Sequence, residues 1–283
     1  MTITFFLAAG LCGVAAFGVS DAGKGPETAA IPLAYDGATA TATLHTFLLP
    51  RGEEPLPAAL VCPGGGYAGL AMDYEGTEVA QWLNSNGLSA FVLEYRVAPH
   101  RHPAPLHDAQ QAIRLIRTHA VEWGLDPARL GILGFSAGGH LAATASTHYD
   151  TTPGLDAPSA RPDFSILIYP VISFLPPFGH AGCGENLLGP GAAHALMESL
   201  SAHEQVTSDT PPAFLVHSTG DSVVSPLNSI AYYQALTEAG VPSELHIYEQ
   251  GEHGYGMGKG DPALSTWPGL CIEWLRKRGI LAP

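Results

Sequence analysis

The chain predicts an α/β fold: a mostly parallel sheet of eight strands with helices on both faces and an insertion before the strand that carries a candidate acid. Three observations lead there. Short continuous apolar runs such as "AALVC" (58–62) and "FSILIYPVI" (164–172) have the composition of strands buried on both faces. Between such runs lie stretches with helical spacing of apolar residues, so strand and helix alternate along the chain. The 33 glycines and 24 prolines among 283 residues fit numerous tight connections, and no repeat or low-complexity run interrupts the pattern.

The elements follow in order. Residues 1–20, "MTITFFLAAGLCGVAAFGVS", are almost all apolar or small and give way to the polar "DAGKGPET". They read as a secretory leader of 1–22, with small residues near Ser20 and Ala22 for a signal peptidase, although no Lys or Arg stands near the start. The expected location is therefore periplasmic or secreted, with an uncleaved anchor or a cytoplasmic protein as the rival readings. Leu11 before Cys12 argues against lipid attachment. Residues 23–283 are expected to form one domain.

"IPLAY" (31–35) and "TATLHTFLLP" (41–50) open the domain as a strand pair around the turn-prone "DGA". "AALVC" and "LSAFVLEY" (88–95) flank a helix in "YEGTEVAQWLNSNG", whose Val79, Trp82 and Leu83 share a face and which stops at Gly87. The alternation continues with a helix in 106–123, the strand "RLGILGF" (129–135), a small-residue helix (137–146) and the strand in 164–172. After an irregular stretch come the strand "PAFLVHS" (212–218), a helix in 226–240, the strand "SELHIYE" (243–249) and a last helix in 266–279. The stretch 173–211 is rich in Pro and Gly and is expected to be a lid or a substrate-lining insertion, with a short helix in "AAHALMESL".

With 12 Lys plus Arg against 26 Asp plus Glu, the net charge of −14 repels a polyanion and disfavours nucleic-acid binding. Cys62, Cys183 and Cys271 lie far apart with no C-x-x-C pair, so buried free thiols are expected rather than a zinc knuckle or a disulfide framework.

In an open parallel sheet, ligands sit beyond the carboxyl ends of the strands, and four loops there carry relevant groups. "GFSAGGH" follows the strand 129–135 and opens a helix at Ser136, with Gly134 and Gly138 leaving room for a sharp turn. Such a serine needs a base and an orienting acid. His253, in the glycine-flanked "GEHGYG", follows the strand 243–249, and Asp221 in "HSTGDSVV" follows the strand 212–218. The chain order Ser136, Asp221, His253 is that of α/β-hydrolases. Glu252 is the competing acid, poorly placed beside His253 to reach its ring. The fourth loop, "PGGGYAGL", offers close-approaching backbone N–H groups, and Gly65, Gly66 and Ala137 are the expected oxyanion donors. Tyr67, Asp73 and Glu75 are candidates for substrate contacts at the mouth, with Asp73 and Glu75 equally placed to begin and cap the next helix. The remaining histidines show no metal-ligand spacing, so neither a metal nor an organic cofactor is expected.

Taken together, "CPGGGYAGLAMDYEG", "FVLEYRVA", "HPAPLHDAQQAIRLIR", "LGILGFSAGGHLAA", "ILIYPVIS", "NLLG", "TPPAFLVHSTGDSVVSPLNSIAYYQAL" and "ELHIYEQGEHGYG" resemble the α/β-hydrolase carbohydrate esterases of the acetyl xylan esterase and acetyl-feruloyl esterase type. The likeness runs from about residue 57 to the end. It implies a nucleophile at Ser136, an acid at Asp221, a base at His253, an oxyanion loop at Gly64 to Gly66, and hydrolysis of short acyl esters on sugars. Hormone-sensitive-lipase relatives have His before the glycines, where this chain has Pro63. A lipase, a general carboxylesterase or a peptidase would use the same triad, and a binding module would use the fold without chemistry.

Overall fold

The computed structural model describes residues 27–33, 42–149 and 157–282, so the expected leader and the turn at 36–38 lie outside the described residues. The strands are β1 (Glu27–Leu33), β2 (Ala42–Leu48), β3 (Leu56–Cys62), β4 (Ser89–Glu94), β5 (Leu125–Phe135), β6 (Ser165–Ile168), β7 (Ala213–Ser218) and β8 (Ser243–Tyr248). They form one sheet in the order β1-β2-β4-β3-β5-β6-β7-β8. β2 runs antiparallel to β1 and β4, and every pairing from β4 onward across the sheet is parallel. This is the expected α/β-hydrolase architecture.

Burial explains the two kinds of strand. β2 faces the core with alternate residues, Ala42, Leu44, Thr46 and Leu48 being buried and those between them half-buried. β3 is buried from its second residue on: Ala58, Leu60 and Cys62 join one core, and Ala59 and Val61 join the other. The first core is closed by α2 (Ala104–Thr118), α4 (Ser136–Thr147) and α7 (Leu227–Glu238), through residues such as Ile113, Leu141 and Tyr232. The second is closed by α1 (Glu78–Ser85) and α8 (Trp267–Lys277), through Leu83, Trp267 and Trp274. The short α3 (Ala120–Trp123) follows α2.

Several elements differ from expectation: the strand expected over 164–172 ends at Ile168, and the helix expected in 106–123 is split into α2 and α3. β1 begins at Glu27, ahead of its apolar run, because backbone pairing with β2 extends from Glu27↔Leu48 to Leu33↔Ala42 at a sheet edge that tolerates polar side chains. β5 begins at Leu125 and carries polar residues before its buried half. Within 173–211 there is α5 (Ala181–Leu188), a helix that the glycines of "AGCGENLL" hide, besides α6 (His194–Ser199). Cys183 and Leu187 are buried one helical turn apart in α5, and His180 caps it by accepting the Cys183 N–H at 3.0 Å. That burial outweighs the roughly 1 kcal/mol that each helical glycine costs. Cys62, Cys183 and Cys271 are free and buried.

Candidate active site

β5 ends at Phe135, and α4 begins at Ser136 itself, whose φ of +53° holds the side chain out from the turn. A non-glycine residue in that region costs on the order of 1–3 kcal/mol, which the surrounding packing must hold. The turn closes because its neighbours lack side chains: a Cβ on Gly134 would collide with the Gly138 carbonyl, and one on Gly138 with the Cys62 carbonyl. Ser136 is 8% exposed.

The Ser136 hydroxyl donates to His253 Nε2 at 2.8 Å, and His253 Nδ1–H donates to Asp221 Oδ2 at 2.7 Å. These partners fix the tautomer, since a carboxylate can only accept. Asp221 Oδ1 accepts the Val223 and Val224 N–H groups at 2.9 and 2.8 Å, and the buried His217 lies 3.4 Å from Oδ2. Burial works against the Asp221 charge, but hydrogen bonds from His217, His253 and Val224 outweigh it and hold the carboxyl well below the usual range. His217 is itself locked by Ser229 Oγ at 2.8 Å and the Val224 carbonyl at 2.9 Å. Glu252, the competing acid, is exposed and accepts from Ser222 Oγ at 2.9 Å.

The loop after β3 folds back on itself, with the Ala68 and Gly69 N–H groups donating to the Gly65 carbonyl at 3.0 and 3.1 Å. The Gly64 N–H is taken by Glu75 Oε2 at 2.7 Å. The N–H groups of Gly65 and Gly66 donate to no acceptor among the described residues, and that of Ala137 stands in the first turn of α4, where helical N–H groups have no internal partner. The loop is pinned from outside: Asn186 Nδ2 donates to the Gly66 carbonyl at 2.8 Å, and Tyr95 Oη donates to the Pro63 carbonyl at 2.7 Å.

Two expected substrate contacts are corrected. Tyr67 is 1% exposed and donates its hydroxyl to His140 Nδ1 at 2.8 Å; Glu75 is 2% exposed and lies under the loop. The compact glycine turn folds both side chains inward, away from the mouth. Asp73 is exposed, at the start of the turn Asp73–Thr77. Asn186 and Tyr169 escaped the sequence reading, and His140 and His217 had no role in it beyond lacking metal-ligand spacing. Tyr169 directly follows a core strand, a position that could have flagged it.

The arrangement can move a proton from Ser136 to His253, hold the resulting imidazolium against Asp221, and offer N–H donors to an oxyanion. Among the described residues no three His, Cys, Asp or Glu side chains gather as a metal site requires.

Residues 44–236 match the BD-FAE family. The chain is 38% identical over 211 residues to an acetylxylan esterase of Xylanibacter ruminicola, which covers 73% of this chain and 42% of that protein. It is 35% identical over 218 residues to endo-1,4-beta-xylanase B of Butyrivibrio fibrisolvens, covering 74% of this chain and 34% of that protein. The chain thus spans less than half the length of these two curated relatives. The crystal structure of an acetyl ester-xyloside bifunctional hydrolase from Caldicellulosiruptor lactoaceticus is similar with a TM-score of 0.86 at 41% identity, over 92% of this chain and all of that one. A carboxylesterase from Lactobacillus plantarum, Cest-2923, gives a TM-score of 0.78 at 25% identity, over 91% of this chain and 99% of that one.

Proposed function

The chain belongs to the BD-FAE family, and from that premise we propose that it is a serine esterase that removes short acyl groups, acetyl foremost, from carbohydrate such as xylan. The observation that carries the reading is the unbroken contact from Ser136 through His253 to Asp221, beyond the carboxyl ends of β5, β8 and β7. The relatives named as an acetylxylan esterase and an acetyl ester-xyloside hydrolase support the choice of ester.

In this reading Ser136 Oγ attacks the ester carbonyl as His253 takes its proton. The oxyanion gathers on the N–H groups of Gly65, Gly66 and Ala137. His253 then returns the proton to the departing sugar oxygen. Water, activated by the same imidazole, attacks the acyl-enzyme and frees Ser136. Asp221 stays charged throughout, and its low proton affinity suits it to stabilise the imidazolium.

A panel of acetylated xylan, long-chain nitrophenyl esters and peptide amides tests the substrate. Acetylated xylan is expected to have the highest kcat/KM, and a preference for long-chain esters would point to a general lipase. We also propose export through the apolar segment 1–20. Fractionation of cells making the full chain checks it, with recovery in the cytoplasm alone as the contrary result.

A further inference from the structure

Beneath the site lies a hydrogen-bonded chain that the triad does not use. Glu75 gives one carboxylate oxygen to each of two donors: the Gly64 N–H on Oε2 and the Tyr169 hydroxyl on Oε1, both at 2.7 Å. The Tyr169 oxygen accepts the Gly256 N–H at 2.9 Å, and the Gly256 carbonyl accepts Trp267 Nε1–H at 3.0 Å. The Tyr169 ring meets the His253 ring edge-to-face, with centroids 4.9 Å apart. One buried carboxylate therefore links the loop after β3, which offers N–H donors, to the loop after β8, which carries the base. The link runs through the residue that follows β6.

We propose that Glu75 and Tyr169 are a positioning pair that holds the oxyanion donors and His253 in one frame, aligned for the transition state rather than for substrate binding. The proposal rests on the esterase reading. Neither residue touches the substrate; each acts through a neighbour.

Three features support it. First, burial raises the proton affinity of Glu75, against hydrogen bonds from Tyr169 and Gly64 and the attraction of His253. A buried carboxylate is costly, and here its two donors come from the two sides of the catalytic cleft rather than from a Lys or Arg. Second, the non-glycine residues with positive φ among those described are Tyr67, Ser136 and Tyr169, at +59°, +53° and +38°. Tyr169 thus shares the backbone strain of the nucleophile, and such strain persists only where the surroundings impose it. Third, Gly64 is wedged between Glu75 and the nucleophile: a Cβ there would lie 2.7 Å from Glu75 Oε2 and 2.9 Å from Ser136 Cβ. A displaced Glu75 carboxylate frees the Gly64 peptide plane and, with it, the next N–H, that of Gly65.

Glu75→Gln keeps the shape but offers a single acceptor oxygen for two donors. Tyr169→Phe keeps the ring and Glu75 but cuts the link to Gly256. Both variants and their double are compared in the full chain with 4-nitrophenyl acetate, with thermal melts to establish folding. Acylation and deacylation both pass through an oxyanion, so both slow and KM stays within about threefold. Glu75→Gln is expected to lower kcat by about 10- to 100-fold and Tyr169→Phe by about tenfold, the scale of a catalytic group displaced by about 1 Å. The double variant should match Glu75→Gln, because the link between the two loops is already broken at position 75. Inhibition by phenylboronic acid, whose tetrahedral adduct on Ser136 imitates the intermediate, should weaken in step with kcat.

A kcat near wild type in either folded variant overturns the proposal. So does a loss carried by KM alone, or losses that multiply in the double. If Glu75→Gln fails to fold, Tyr169→Phe decides by the same kcat and boronate readings. Wild type and Ser136→Ala run alongside: a wild-type chain that opens no ester removes the esterase reading and this proposal together, whereas an active wild type with unaffected variants removes this proposal alone.

Discussion

On the β7 and β8 side of the cleft, Asp221 and His253 meet side chain to side chain at 2.7 Å, each in the loop that follows its strand. On the β3 side, the groups aimed at a substrate are backbone N–H groups, held by side chains from far along the chain: Glu75, Tyr95, Asn186 and Tyr169. The first half carries its chemistry in residue identity. The second carries it in backbone orientation, which many distant contacts share. Removing one group should therefore abolish the work of the acid-base half but only degrade that of the oxyanion half.

The largest predicted effect is in the acid-base half. Asp221→Asn should lower kcat for an acetyl ester by about 10⁴-fold, because the amide cannot fix the imidazole tautomer. Steady-state kinetics checks this, and a rate near wild type would move the acid role to Glu252. Next comes the turn of the oxyanion loop. Gly65 has φ +136°, and a Cβ there would strike the Gly69 carbonyl, so Gly65→Ala should cost about 10²- to 10³-fold in kcat, as loss of an oxyanion donor does. Gly66, at φ +65° with no atom nearer than 4.0 Å to such a Cβ, makes the contrasting variant. Gly66→Ala should cost only about 1–2 kcal/mol of stability, read by urea unfolding. Asn186→Ala, which frees the Gly66 carbonyl, should lower kcat by less than about tenfold, with KM little changed.

Acid should also separate the halves. His140, under the glycine loop, accepts from Tyr67 and donates Nε2–H to the Leu200 carbonyl at 2.8 Å, and burial lowers it to about 4. A depressed value means that stability is complete above the ordinary 6.5 and is lost as pH falls toward about 4, up to about 3 kcal/mol. Asp221 is depressed too, so its contribution is complete above the ordinary 3.8 and is lost only below it. Urea midpoints should therefore fall between pH 6.5 and 4, and His140→Gln should flatten that fall. An unchanged slope in the variant would assign the acid sensitivity elsewhere.

The same contrast explains what was legible in the sequence. The inner strands could be read from apolar runs because parallel strands there are buried on both faces, as Ala58 to Cys62 are. Ser136, Asp221 and His253 could be picked out because each stands beyond a strand in a fixed chain order. Glu75 was noticed for its place after the glycines but read as facing outward, since sequence spacing does not tell which way a tight turn folds its neighbours. Tyr169 and Asn186 stand 94 and 120 residues from the groups they hold, and no local pattern encodes such a pairing. His217 lay inside an apolar run, where its contact with Asp221 depends on how the following turn closes.

The central claim is that Ser136 carries the acyl group, and acid-quenched mass spectrometry of the chain during the first turnover of 4-nitrophenyl acetate tests it most directly. The account predicts one added acetyl group on the peptide containing Ser136, absent in Ser136→Ala. Turnover with no acetyl on that peptide, or with acetyl on another residue that forms and decays at the catalytic rate, would contradict it.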